Sequence, residues 1–98
     1  MSSKLVRDKI PELIIRSGRI PKTHIADEEE FHQRLNDKLL EECEEFLQSG
    51  KPEELADILE VVEALRERLR ISNDELMKIK NDKVMARGAF TQKIILDG

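Results

Sequence analysis

Two acidic clusters flank one glycine. Glu41, Glu42, Glu44 and Glu45 precede Gly50, and Glu53, Glu54 and Asp57 follow it. Aspartate and glutamate make up 21 of the 98 residues, so a cluster alone says little. The informative carboxylates are those that fall on an apolar helix face. At about 100° per residue, Phe31, Leu35, Leu39, Cys43, Phe46 and Leu47 cover one broad arc, and Glu42 projects inside it, between Phe31 and Leu35. Glu45 and Glu41 lie progressively further round its edge, beside Lys38, and Glu44 points away. After the glycine, Leu55, Ile58, Leu59, Val61, Val62, Leu65 and Leu69 form a second apolar face. Glu54 projects inside this face and Asp57 lies at its margin, whereas Glu60, Glu63 and Glu67 fall opposite.

Folding these two stretches into a hairpin about Gly50 sets the carboxylates at matching depths. Glu45 stands five residues before Gly50 and Glu54 four after it; Glu42 stands eight before and Asp57 seven after. With a rise of about 1.5 Å per residue they form two layers, Glu45 with Glu54 and Glu42 with Asp57. Converging carboxylates repel one another, and burial raises the cost. A bound divalent cation relieves both, and an all-oxygen donor set favours Mg²⁺, with Mn²⁺ as the alternative, over zinc. The expected metal ligands are therefore Glu42, Glu45, Glu54 and Asp57.

A complementary basic signal follows. Lys80, Lys83 and Arg87 are spaced i, i+3, i+7 and share a helix face with Leu76. Such cations pair with nearby glutamates or bind phosphate; spacing alone favours the ion pair. Cys43 faces the core, where a thiol is usually inert. His24 and His32 lack metal-ligand spacing to it and read as surface residues. Taken alone, Arg7-Asp8-Lys9 reads as a helix cap with flanking charge.

The elements that must position these residues are helical. Asp8 caps a short first helix over about 8–17, with Pro11 in its first turn and Gly18 at its end. Residues 19–26 read as extended. Asp27 caps a long second helix whose first turn carries Glu28, Glu29 and Glu30. Ser49-Gly50-Lys51-Pro52 ends it and opens a third helix running to about Arg70. Ser72 and Glu75 form a capping box for a fourth helix closed by Gly88. The tail, 90–96, reads as strand-like and able to pair with 20–25. The expected fold is all-α, one domain over 1–98: a metal-binding helix hairpin with flanking helices and a short C-terminal strand.

Composition narrows the function classes. Aromatic residues are 3%, with no Trp and no Tyr, which argues against a base-stacking platform. A formal net charge of −4 disfavours non-specific binding to nucleic acid or anionic membrane. The single cysteine excludes an internal disulfide framework and suits a reducing compartment. Neither a signal peptide nor a membrane span is read, so a cytoplasmic location is expected.

Glu41-Glu42-Cys43-Glu44-Glu45 followed by Glu54-Leu55-Ala56-Asp57 resembles the EExxE…ExxD signature of the all-α NTP pyrophosphatases. That superfamily includes MazG-like proteins, dimeric dUTPases and phosphoribosyl-ATP pyrophosphohydrolases. The opening Lys4-Leu5-Val6-Arg7-Asp8-Lys9-Ile10-Pro11 and the closing Arg87-Gly88-Ala89-Phe90 resemble a branch described as phosphoribosyl-ATP pyrophosphohydrolase-like. The common RGGF form is RGAF here. The resemblance implies Mg²⁺-dependent hydrolysis between the α- and β-phosphates of a nucleotide substrate, giving a monophosphate and pyrophosphate. By matching position it implies the same four ligands as the helical-wheel argument. Glu41 becomes the candidate catalytic carboxylate, supporting a ligand or taking a proton from water. Lys38, Lys83 and Arg87 become candidates for phosphate contacts, as do Arg7 and Lys9 if the N-terminus folds over the site. A homodimer is expected, with remaining apolar faces buried between subunits.

Two readings of other classes compete. A non-catalytic nucleotide or metal sensor would be free to lose one of the four carboxylates. A structural helical module would place Leu where Glu42 and Glu54 stand.

Overall fold

The computed structural model describes residues 3–98 and contains four helices, α1 (Ile10–Arg16), α2 (Glu28–Ser49), α3 (Pro52–Arg68) and α4 (Asn73–Arg87). Among the described residues there is no strand, and no helix is long and apolar enough to cross a membrane. The all-α expectation therefore holds. The chain divides into two compact units, Met1–Ala64 and Leu65–Gly98, and α3 runs from one into the other.

The first unit is built on the α2–α3 hairpin. The Asp27 carboxylate accepts the Glu30 N–H at 2.9 Å, the cap that its side chain was expected to supply. Gly50 ends α2 at φ 64°, its N–H donating to the Phe46 carbonyl at 2.7 Å. This left-handed conformation is cheap only for glycine, and it lets α3 start two residues later. The Lys51 N–H donates to Ser49 Oγ at 3.2 Å, and Pro52 occupies the first position of α3, where its missing donor is not needed.

Helix α1 differs from expectation at its start. Lys9, not Asp8, is the N-cap, and no side chain caps it. A backbone turn does the work instead: the Arg7 carbonyl accepts the Ile10 N–H at 3.0 Å and the Lys9 carbonyl accepts that of Leu13 at 3.1 Å.

The buried interior is thin. Among the described residues, Leu35 and Val61 are the buried apolar side chains, and Glu42 is buried as well at 6% exposure. Phe31, Leu39, Cys43, Phe46 and Ile58 are half-buried. Leu47, placed on the apolar arc of α2, is 80% exposed, and Leu40, Leu55 and Leu59 are also exposed. The arc is wider than a single neighbouring helix can cover.

In the second unit, the Ser72 hydroxyl accepts the Glu75 N–H at 3.1 Å while the Glu75 carboxylate accepts the Ser72 N–H at 3.4 Å, completing the expected capping box of α4. Gly88 closes the helix at φ 82°. The tail is not a strand. Lys93 N–H donates to the Phe90 carbonyl at 3.3 Å in a turn, and Phe90, Ile94, Ile95 and Leu96 are exposed. A lone two-stranded pairing of 90–96 with 20–25 would be marginal in water, which explains why propensity alone did not secure it.

Candidate metal centre

Glu42 on α2 and Glu54 and Asp57 on α3 converge, with one carboxylate oxygen of each lying within 4.8 Å of the others. The Gly50 turn is what brings them together. Glu54 and Asp57 are half-buried, and Glu42 is the most enclosed of the three. Glu42 Oε1 receives the Lys38 ammonium at 3.2 Å. Its other oxygen, Oε2, is buried and has no hydrogen-bond partner. A buried acceptor without a partner costs about 1–3 kcal/mol, so this oxygen, on a residue of the carboxylate trio, is the feature most in need of a ligand. The donor set is oxygen only and fits a hard divalent cation.

Glu45 stands outside the trio but feels it. The Glu42 charge raises its carboxyl above the ordinary glutamate range, with lesser help from desolvation and from the charges of Glu54 and Glu41. Glu42, Glu54 and Asp57 form the converged group, and Glu45, on the exposed side, feels the charges of both Glu42 and Glu54.

The repulsion anticipated for the bare carboxylates is partly met by the protein's own cations. Arg7 Nη2 donates to Asp57 Oδ1 at 2.7 Å. Lys38 bridges Glu42 and Glu41, the latter at 3.5 Å. Burial pulls the Lys38 ammonium down, but the hydrogen bond to Glu42 and the Glu41 and Glu42 charges outweigh it and hold Lys38 above the ordinary lysine range. Glu41 also faces Lys4 at 3.8 Å. The N-terminal arm is tied down further by Arg34, whose Nη1 donates to the Ser3 carbonyl at 3.1 Å. Ser49 Oγ reaches Glu54 Oε1 at 3.5 Å.

The arm therefore does fold onto the site, as Arg7 requires. Lys9 is exposed at the start of α1 and makes no ion pair among the described residues. Lys83 and Arg87 are exposed on α4 in the second unit and likewise lack a carboxylate partner among the described residues. Glu63, placed opposite the apolar face of α3, is half-buried and engaged in interactions of its own. His24 is exposed, as expected, and contacts Glu30 at 2.9 Å. Sequence reasoning missed Lys4, Arg34 and Ser49 as neighbours of the acidic group. Only Lys4 carried a signal, since it belongs to the same N-terminal segment as Arg7. Comparison with protein-family models, curated proteins and solved structures finds no match.

Proposed function

We propose that the chain is a divalent-cation-dependent nucleotide pyrophosphohydrolase, cleaving between the α- and β-phosphates to release a nucleoside monophosphate and pyrophosphate. The observation that carries this reading is the convergence of Glu42, Glu54 and Asp57, in which Glu42 is buried and keeps one oxygen, Oε2, without a partner. Glu42, Glu54 and Asp57 hold the cation, with Glu45 joining from the exposed side. Mg²⁺, or Mn²⁺ in its place, supplies charge neutralisation at the phosphates and lowers the cost of forming hydroxide from water.

Everything else falls to side chains. Glu41 is committed to two ammonium groups, Lys38 and Lys4. Glu45 has no cation within ion-pair distance among the described residues and is left to join the metal. Glu41 positions Lys38 and is the candidate to take a proton from an attacking water. Arg7 and Lys38 are the cations closest to the carboxylates and offer donors to phosphate oxygens. Lys9, exposed at the start of α1 in the same unit, is a further phosphate contact under this reading. The substrate class is a nucleoside triphosphate or a phosphoribosyl nucleotide. The working form is a homodimer in a cytoplasmic setting, the second copy covering the exposed Leu40, Leu47, Leu55 and Leu59 of the hairpin.

The test is pyrophosphate release with Mg²⁺ across a nucleotide panel, comparing wild type with Glu42→Gln. Release by wild type that the variant abolishes supports the reading. Silence across the panel, in a protein that still binds Mn²⁺ and nucleotide, would favour the non-catalytic sensor.

A further inference from the structure

We infer that Arg7 is the resident counter-cation of the acidic trio, and that a divalent cation enters by exchanging the guanidinium off Asp57. The inference rests on the metal-centre reading above and adds a specific competitor to it. Three carboxylates that approach within 4.8 Å carry like charges that the fold must offset. Lys38 offsets Glu42, and Arg7 offsets Asp57 at 2.7 Å.

The two cations are held very differently. Lys38 comes from α2 itself, at i,i+3 and i,i+4 to its partners, and its side chain is only 19% exposed. It is a fixed part of the site. Arg7 comes from an arm without regular secondary structure, and its side chain is 55% exposed against 37% for Asp57. An exposed pair of this kind is weak and open to water, so a divalent cation can displace it. The gain lies partly at Glu42 Oε2, the buried oxygen that neither Arg7 nor Lys38 satisfies. Coordination would give that oxygen a partner, which the guanidinium does not.

Release of Arg7 from Asp57 would not release the arm. Ser3 remains bonded to Arg34, and Lys4 faces Glu41. The freed guanidinium therefore stays at the mouth of the site, where a phosphate oxygen is a suitable new acceptor. Cation entry and anion binding become coupled through one arginine: the cation unmasks the group that the anion uses. A cation and an anion that each favour the displaced arginine must strengthen one another's binding.

The deciding experiment is a Mn²⁺ titration of the full chain, read by the electron paramagnetic resonance of free Mn²⁺, for wild type, Arg7→Gln and Arg7→Lys. Removing a competing charge should tighten Mn²⁺ roughly fivefold in Arg7→Gln, while Arg7→Lys, which keeps the charge, stays near wild type. Saturable binding by wild type that Arg7→Gln leaves unchanged or weakens would overturn the exchange and leave the metal centre standing. Absence of binding by both proteins would remove the metal centre and the exchange together. A second readout needs no variant. The side-chain ¹⁵Nε resonance of Arg7 should move as Mg²⁺ is added to wild type; an Arg7 signal that stays fixed through saturation would overturn the proposal.

Discussion

Glu42 is the residue on which the site turns, because it is buried, charged and only half satisfied. Glu42→Gln and Asp57→Asn each remove a ligand together with one like charge. Both should abolish Mn²⁺ binding in the titration while shifting apo stability by no more than about 1 kcal/mol in either direction. Glu60→Gln, on an exposed position of α3, should bind like wild type; identical losses in Glu60→Gln and Glu42→Gln would contradict the facing of the helices. Glu45 gives a pH signature. Its folded value is raised chiefly by the Glu42 charge. Its contribution to stability is therefore complete below the ordinary glutamate pKa and disappears as pH rises through the elevated folded value. With metal chelated, wild type should lose stability relative to Glu45→Gln as pH rises from about 4, the ordinary glutamate range, through the elevated folded value. Urea unfolding across that range checks it, and a gain by wild type with rising pH would mean that the Glu45 anion is welcomed by the fold.

At the scale of elements, the two-residue connection between α2 and α3 does the positioning. Gly50 sits at φ 64°, and a Cβ there would meet open space. Gly50→Ala thus reports backbone strain without a steric clash. It should destabilise the chain by about 1 kcal/mol and also weaken Mn²⁺, because Glu42 and Asp57 lie on opposite arms of the turn. Thermal melts and the Mn²⁺ titration of the same variant separate these effects. Unchanged metal affinity would show that the hairpin register is held elsewhere. The α4 cap offers an independent comparison: Ser72→Ala should cost about 1 kcal/mol and leave Mn²⁺ binding in the first unit unaltered.

For the whole molecule, a small buried interior and a surplus of exposed leucines point to stabilisation from outside the single chain. Millimolar Mg²⁺ or Mn²⁺ should raise the melting temperature, since the cation binds the folded hairpin and finds no preformed trio in the unfolded chain. A melting temperature indifferent to both ions would speak against the centre. Sedimentation at micromolar protein should give the mass of two chains. Leu47→Glu with Leu59→Glu, at positions 80% and 67% exposed, should return it to one. A wild type that sediments as a monomer at all concentrations would leave these leucines without the proposed cover.

Much of this was legible in the residue order, and for local reasons. Asp27, Gly50, Pro52, and Ser72 with Glu75 act within a few residues of themselves, so both ends of α2 and the starts of α3 and α4 follow from spacing. Helical periodicity likewise placed Glu42 and Glu54 among apolar side chains. Where competition between distant segments decides, the sequence was silent or misleading. Asp8 looked like a cap, but a backbone turn at Arg7 took its place. The tail had strand propensity and no sheet to join. Leu47 had an apolar address on α2 and no neighbour to cover it. Helix geometry fixed the depth of the four carboxylates; only tertiary packing chose three of them for the converged group and set Glu45 beside Glu42. The ion pair of Arg7 with Asp57, fifty positions apart, belongs wholly to that packing. Its formation depends on where the arm lies against the hairpin, a contact that no periodicity within either segment encodes.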